Sequence, residues 1–220
     1  MKRFLFLLLV AFAPQLLLAQ WNVGVEVGAG FNYLSADHAE VSDQAKIGVK
    51  AGAIVSYTTR YGLYVESGLS YSNQRGSTLT DFDNQYKTLE SVNSKLQYLQ
   101  LPVTLGYKIR VSKKWAIIPK VGMWAAVGVG GHSLVTGIET SGTRYQVGVL
   151  PFETDHYTLS GQDYRIGGYS RLDWGATVGV DVRYTRFAVR AACDFGLEDL
   201  NFELGSPYSR SYSLSVGYFF

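Results

Sequence analysis

Leu172-Asp173-Trp174-Gly175-Ala176-Thr177-Val178-Gly179-Val180-Asp181-Val182-Arg183-Tyr184 alternates at every step. Leu172, Trp174, Ala176, Val178, Val180, Val182 and Tyr184 share one side, while Asp173, Gly175, Thr177, Gly179, Asp181 and Arg183 share the other. A period of two belongs to an extended strand, whose successive side chains point to opposite faces. A helix would scatter the same residues around its circumference and leave Asp173, Asp181 and Arg183 among apolar neighbours.

The signature recurs along the rest of the chain. Trp21–Tyr33, Ile47–Tyr57, Leu63–Tyr71, Leu99–Ile109, Trp115–Val129, Phe187–Phe195 and Tyr212–Phe220 each set apolar residues at every second position against a face rich in Gly, Ser, Thr and charges, with Tyr64 on that face of the third segment and Ala116, Ile118, Trp124 and Ala126 on that of the fifth. Ile54 is the exception in the second of these segments, an apolar residue on the polar side. The connections are short near Thr59-Arg60, from Arg110 to Lys114 and at Thr185-Arg186, and long over 34–46, 73–96, 130–171 and 197–210. Eight alternating segments with alternately short and long connections predict an all-β domain over residues 20–220. Its expected form is an eight-stranded antiparallel, up-and-down transmembrane β-barrel with short periplasmic turns and long extracellular loops.

Composition agrees with strands and turns. Of 220 residues, 24 are Gly and 16 Tyr, while charged residues make up 17% and hydrophobic ones 47%, which excludes disorder. Cys193 stands alone, so neither an internal disulfide nor a thiolate-based zinc site is available. Residues 1–19 combine Lys2-Arg3 with the apolar run Phe4–Ala13, Pro14 and a final Leu-Leu-Leu-Ala, the pattern of a cleaved signal peptide. Cleavage after Ala19 would leave 18 basic against 18 acidic residues, a balance that argues against nucleic acid as a partner.

Alternation by itself fits a secreted lipocalin-like barrel as well, with the apolar face turned inward. Three features favour lipid outside. The polar face is dominated by small residues and by opposite charges, as suits a narrow lumen. The apolar face ends in aromatic residues on the short-turn side, Trp21, Tyr57, Tyr61, Tyr107, Trp115, Tyr184, Phe187 and Tyr218, as an interfacial girdle does. The last segment carries Tyr212, Leu214, Val216, Tyr218 and Phe220 as one apolar row. Glu26, Lys50, Glu66, Lys108, Lys120, Asp173, Asp181, Arg183, Arg190 and Asp194 would then face the lumen. Buried charges persist only in pairs, so a salt-bridged plug is expected, with a narrow conducting lumen as the alternative.

Tyr98-Leu99-Gln100-Leu101-Pro102-Val103, Asp173-Trp174-Gly175-Ala176 and the ending Ser213-Leu214-Ser215-Val216-Gly217-Tyr218-Phe219-Phe220 resemble the small outer-membrane barrels of Bacteroidetes, PorT-like or OmpA/OmpX-like. That resemblance implies the outer membrane of a Gram-negative bacterium, a monomer surrounded by lipid and lipopolysaccharide, and a C-terminal row, Tyr212 to Phe220, read by the barrel-insertion machinery. For PorT-type members it further implies an envelope or secretion partner. It carries no catalytic signature and no cofactor.

Enzymatic chemistry finds little footing. Eight-stranded lipid A deacylases are of similar size, but His132 and Ser133 are adjacent here and so point to opposite faces of a strand. His38, His132 and His156 fall in the long connections without Cys or acidic neighbours at ligand spacing, so no metal is expected. Gly122–Gly131 belongs to an alternating segment and not to a phosphate-binding loop.

Overall fold

A computed structural model describes residues 20–35, 46–80, 89–138, 144–159, 162–167, 169–197 and 208–220. The expected signal segment, residues 1–19, lies outside them, as does His38. Eight strands form the wall: β1 (Gln20–Ser35), β2 (Lys46–Thr58), β3 (Leu63–Thr80), β4 (Leu89–Tyr107), β6 (Trp115–Ile138), β10 (Leu172–Tyr184), β11 (Phe187–Gly196) and β12 (Tyr208–Phe219). Each pairs antiparallel with its neighbour in sequence order. β12 returns to β1 from Gly24↔Phe219 to Ser35↔Tyr208, and β6 meets β10 from Leu172↔Val127 to Tyr184↔Trp115. The sheet therefore closes on itself and leaves no edge through the wall.

The two faces settle the choice between lipid and a soluble core. Val27, Leu105, Val121, Met123, Val189, Leu214 and Val216 point outward and are each half or more exposed. Glu66, Ser70, Gln100, Thr104, Asp181 and Arg183 point inward and are buried. A soluble barrel would reverse this arrangement, because an apolar surface of that extent is unstable against water. At the short-turn end the outward rings pack in pairs: Trp21 with Tyr57 at 5.1 Å, Trp115 with Tyr184 at 4.7 Å, and Phe187 with Tyr218 at 5.2 Å between centroids.

The long connections depart from expectation. Much of 73–96 and 130–171 is strand, because β3 continues to Thr80, β4 begins at Leu89 and β6 runs to Ile138. β7 (Arg144–Val149) extends this wall beside β6, and β8 (Thr154–Leu159) pairs with β9 (Gln162–Gly167) in a separate hairpin. His132 and His156 thus sit on strands and not in loops. Beyond the hydrocarbon, neither strand face has to be apolar, so these extensions lack the period-two signal. β5 (Ile109–Arg110) is a two-residue strand against Ile117 and Ala116.

One irregularity resets the inner face. The β4–β6 register shifts between Gln97 and Tyr98, which pair with Gly130 and Gly128, so Val129 bulges out of the ladder. Gly131, at φ +149, follows directly, in a region that side-chain-bearing residues rarely adopt. Above the bulge the parity inverts: Ser133 and Val135 face inward and His132 and Leu134 outward.

Candidate functional site

The lumen is filled in two layers. The layer nearer the short turns is ionic and centres on Glu66 of β3. Lys120 of β6 places its Nζ 2.9 Å from Glu66 Oε1 and 2.8 Å from Asp181 Oδ1 of β10. Arg190 of β11 donates through Nη2 to Glu66 Oε1 and through Nε to Asp181 Oδ1 at 3.3 Å, and its Nη1 lies 3.1 Å from Glu26 Oε2. Lys50 of β2 completes the layer 3.4 Å from Glu26 Oε1. Ser215 donates to Glu26 Oε2 at 3.3 Å. Strands on all sides of the barrel thus converge on three carboxylates.

Tyr64 links Arg183 to this layer. Its hydroxyl donates to Glu66 Oε2 and accepts from Arg183 Nη2, whose guanidinium also stacks 3.8 Å from the Phe219 ring centroid. Below lies a small apolar floor of Ile54, Ala188 and Phe219. Ile54, out of pattern in the sequence, is therefore an inward residue with apolar company. Sequence reasoning put Tyr64 on the inner face but gave it no role, because a phenol there carries no charge to attract notice.

The ten inward charges do not form one network. Glu26, Lys50, Glu66, Lys120, Asp181, Arg183 and Arg190 come together. Asp194 lies elsewhere and accepts from Gln100 Nε2 at 3.2 Å, while Asp173 is buried near the top of β10. Lys108 sits in the turn after β4, where burial and the Arg183 and Arg110 guanidiniums push its ammonium below the ordinary lysine value. The cavity between the ionic layer and Gln100, lined by Glu26, Lys50, Thr104, Thr177 and Asp194, measures about 40 Å³, the space of a few water molecules.

The upper layer is aromatic and is closed by a returning segment of the chain. Leu96 and Tyr98 of β4 and Trp124 and Ala126 of β6 enclose Tyr169, with Phe152 packed against them. Phe152 meets Tyr98 edge-on at 5.6 Å between centroids. A Cβ on Gly128 would collide with the Phe152 ring, so the bare backbone there makes room for it. Tyr169 N donates to Pro151 O at 2.9 Å and Gly128 N to Arg171 O at 2.6 Å, while Tyr98 Oη donates to Ser170 O at 3.0 Å. The Tyr169 hydroxyl and Ser133 Oγ lie 3.1 Å and 2.8 Å from Ser94 Oγ. Ser133 is thus engaged in the cap, while His132 points to the other face. The sequence held one sign of this layer: Trp124 is a large ring on the inward side of its segment, among Gly122, Ala126 and Gly128.

A closed wall that is apolar outside, ionic inside and ringed by aromatic residues at its short-turn end defines an integral membrane β-barrel. The chain belongs to the outer membrane protein beta-barrel domain family, whose sequence model matches residues 14–201, and it resides in the outer membrane. No curated protein matches the chain. Among solved structures it is similar to Ail, the attachment invasion locus protein of Yersinia pestis, with 11% identity, a TM-score of 0.44, and coverage of 91% of this chain and 99% of that one. It is also similar to Neisserial surface protein A, at 10% identity and a TM-score of 0.42 over 89% of this chain and 96% of that one. The N-terminal barrel domain of Pseudomonas aeruginosa OprF follows at 14% identity and 0.34, over 91% and 100%.

Proposed function

We propose that the protein is a non-enzymatic, sealed outer-membrane barrel whose extended extracellular wall and cap carry its recognition. The observation that carries this reading is the ionic layer: Lys120, Asp181 and Arg190 crowd around Glu66, and the cavity beside them measures about 40 Å³. An ion-conducting pore needs a continuous aqueous path, which a filled eight-stranded barrel lacks. In this reading the charges hold the strands in register and do not select ions. A wall standing above the membrane offers surface without chemistry, as expected where loops supply binding on a rigid scaffold. The resemblance to PorT-like barrels rests on sequence motifs alone, and no contact favours a secretion role.

The test is conductance. Purified protein that migrates faster unboiled than boiled, as a folded barrel does, should give no discrete steps in a planar bilayer. Reproducible steps from folded protein would refute the sealed lumen.

A further inference from the structure

The charged side chains of the three short turns are all cationic. Residues 57–63, 107–116 and 184–188 contain Arg60, Lys108, Arg110, Lys113, Lys114 and Arg186 and not one Asp or Glu. All of these except the half-buried Lys108 are exposed, and among the described residues no carboxylate forms an ion pair with any of them.

The three turns are joined into one rim. Lys108 N donates to Gly62 O at 2.7 Å, Thr185 N to Lys114 O at 2.9 Å, and Phe219 N to Arg186 O at 2.8 Å. Gly62, at φ +94, makes the first turn tight enough for that contact. Ser112 Oγ accepts from Lys114 N and Trp115 N at 3.3 and 3.2 Å and fixes the lysine-bearing turn. The turns that bear the cations are therefore joined by backbone contacts, and among the described residues no Asp or Glu pairs with them.

Their height on the barrel identifies the counter-charge. The Arg60 guanidinium lies 4.6 Å from the centroid of the exposed Tyr61 ring and donates to the Tyr61 hydroxyl. Arg186 Nη1 donates to the Tyr218 hydroxyl at 3.4 Å, and Lys114 adjoins Trp115. Arg60 and Arg186 thus rest on the outward aromatic belt, where rings settle at headgroup depth. Turns this short also offer too little area for a stable protein interface.

We infer that this rim is a binding site for the phosphodiester headgroups of anionic phospholipids in the periplasmic leaflet, with Arg60 on one side and Lys113, Lys114 and Arg186 on the other. The inference rests on the outer-membrane reading of the barrel, from which the orientation follows: the short turns are the periplasmic ones. Basic clusters beside a membrane-embedded wall attract anionic lipid in this way, and exposed clusters do so in a salt-dependent manner.

Full-length protein in mixed micelles containing equal amounts of phosphatidylglycerol and phosphatidylcholine provides the test, with retained lipid counted by native mass spectrometry. The wild type should retain phosphatidylglycerol several-fold over phosphatidylcholine. A variant combining Arg60→Gln, Lys113→Gln, Lys114→Gln and Arg186→Gln should retain the two equally while keeping its heat-dependent gel migration. Should that variant not fold, the wild-type preference must still collapse as salt is raised to about 0.5 M, where exposed charges are screened within a few ångströms. Equal retention by folded wild type, or a preference that survives both the variant and salt, overturns the lipid site and leaves the barrel reading intact. Capture of polyglutamate by protein in phosphatidylcholine micelles, without any lipid preference, overturns it in favour of an acidic polymer. Failure of the wild type to enter micelles at all would instead strike at the membrane reading.

Discussion

The two layers of the interior are closed by different means. Near the periplasm the barrel is filled by side chains of its own wall, since Glu26, Lys50, Glu66, Lys120, Asp181 and Arg190 all stand on strands whose register fixes them. Near the outside it is filled by Phe152 and Tyr169, which come from the segment between β7 and β10 and are held by packing and a few hydrogen bonds. Breaking the first closure therefore strains the whole barrel. Breaking the second releases one segment and leaves the barrel standing.

Four substitutions, with Lys113→Gln as a reference, would break or sharpen that contrast, in decreasing order of expected effect. Glu66→Gln leaves Lys120 and Arg190 facing a neutral amide; loss of a buried ionic partner of this kind costs about 3–5 kcal/mol. Urea unfolding in detergent should register that loss, whereas Lys113→Gln, on the exposed turn, should stay within about 0.5 kcal/mol of wild type. Similar small shifts for both would mean the ionic layer does not hold the wall. Val216→Arg tests the outside of the same wall: at the bilayer midplane it should cost roughly 2–4 kcal/mol and deplete the protein from outer-membrane fractions. Recovery of that variant as a folded, water-soluble protein would contradict the lipid-facing assignment.

The upper layer should respond locally. Tyr169→Ala should speed proteolysis within residues 150–171 while the heat-dependent gel migration of the barrel is unchanged; global unfolding in step with the cleavage would erase the distinction between the layers. Tyr169→Phe keeps the ring and removes only the hydroxyl beside Ser94, a change of about 1 kcal/mol. Hydrogen exchange at Tyr169 N and Gly128 N should report it where whole-barrel unfolding hardly moves.

The contrast also tracks what could be read from residues alone. Wherever the wall meets lipid, one face must be apolar and the other not, so alternation revealed all eight wall strands and the inward position of Glu66, Lys120 and Asp181. Departures from alternation marked contacts that periodicity does not encode: Ile54 in the floor, Trp124 in the cap. Above Val129 the bulge inverts parity and the outward face no longer has to meet lipid, so β7, β8 and the upper reaches of β3 and β6 read as loop. Pairing across the lumen was not legible either. Alternation gives each charge a face but no height, and height is what separates Asp194, bonded to Gln100, from the Glu66 cluster.

The unequal length of the wall strands has a consequence for reach. With 24 residues at a rise of about 3.3 Å and a tilt of about 40°, β6 climbs roughly 60 Å along the barrel axis, whereas the 10 residues of β11 climb roughly 25 Å, the depth of the apolar band. Among the described residues, β6 therefore rises about 35 Å higher than β11. β3, β4, β6 and β7 are, among the described residues, what a molecule approaching the cell surface meets before the headgroups.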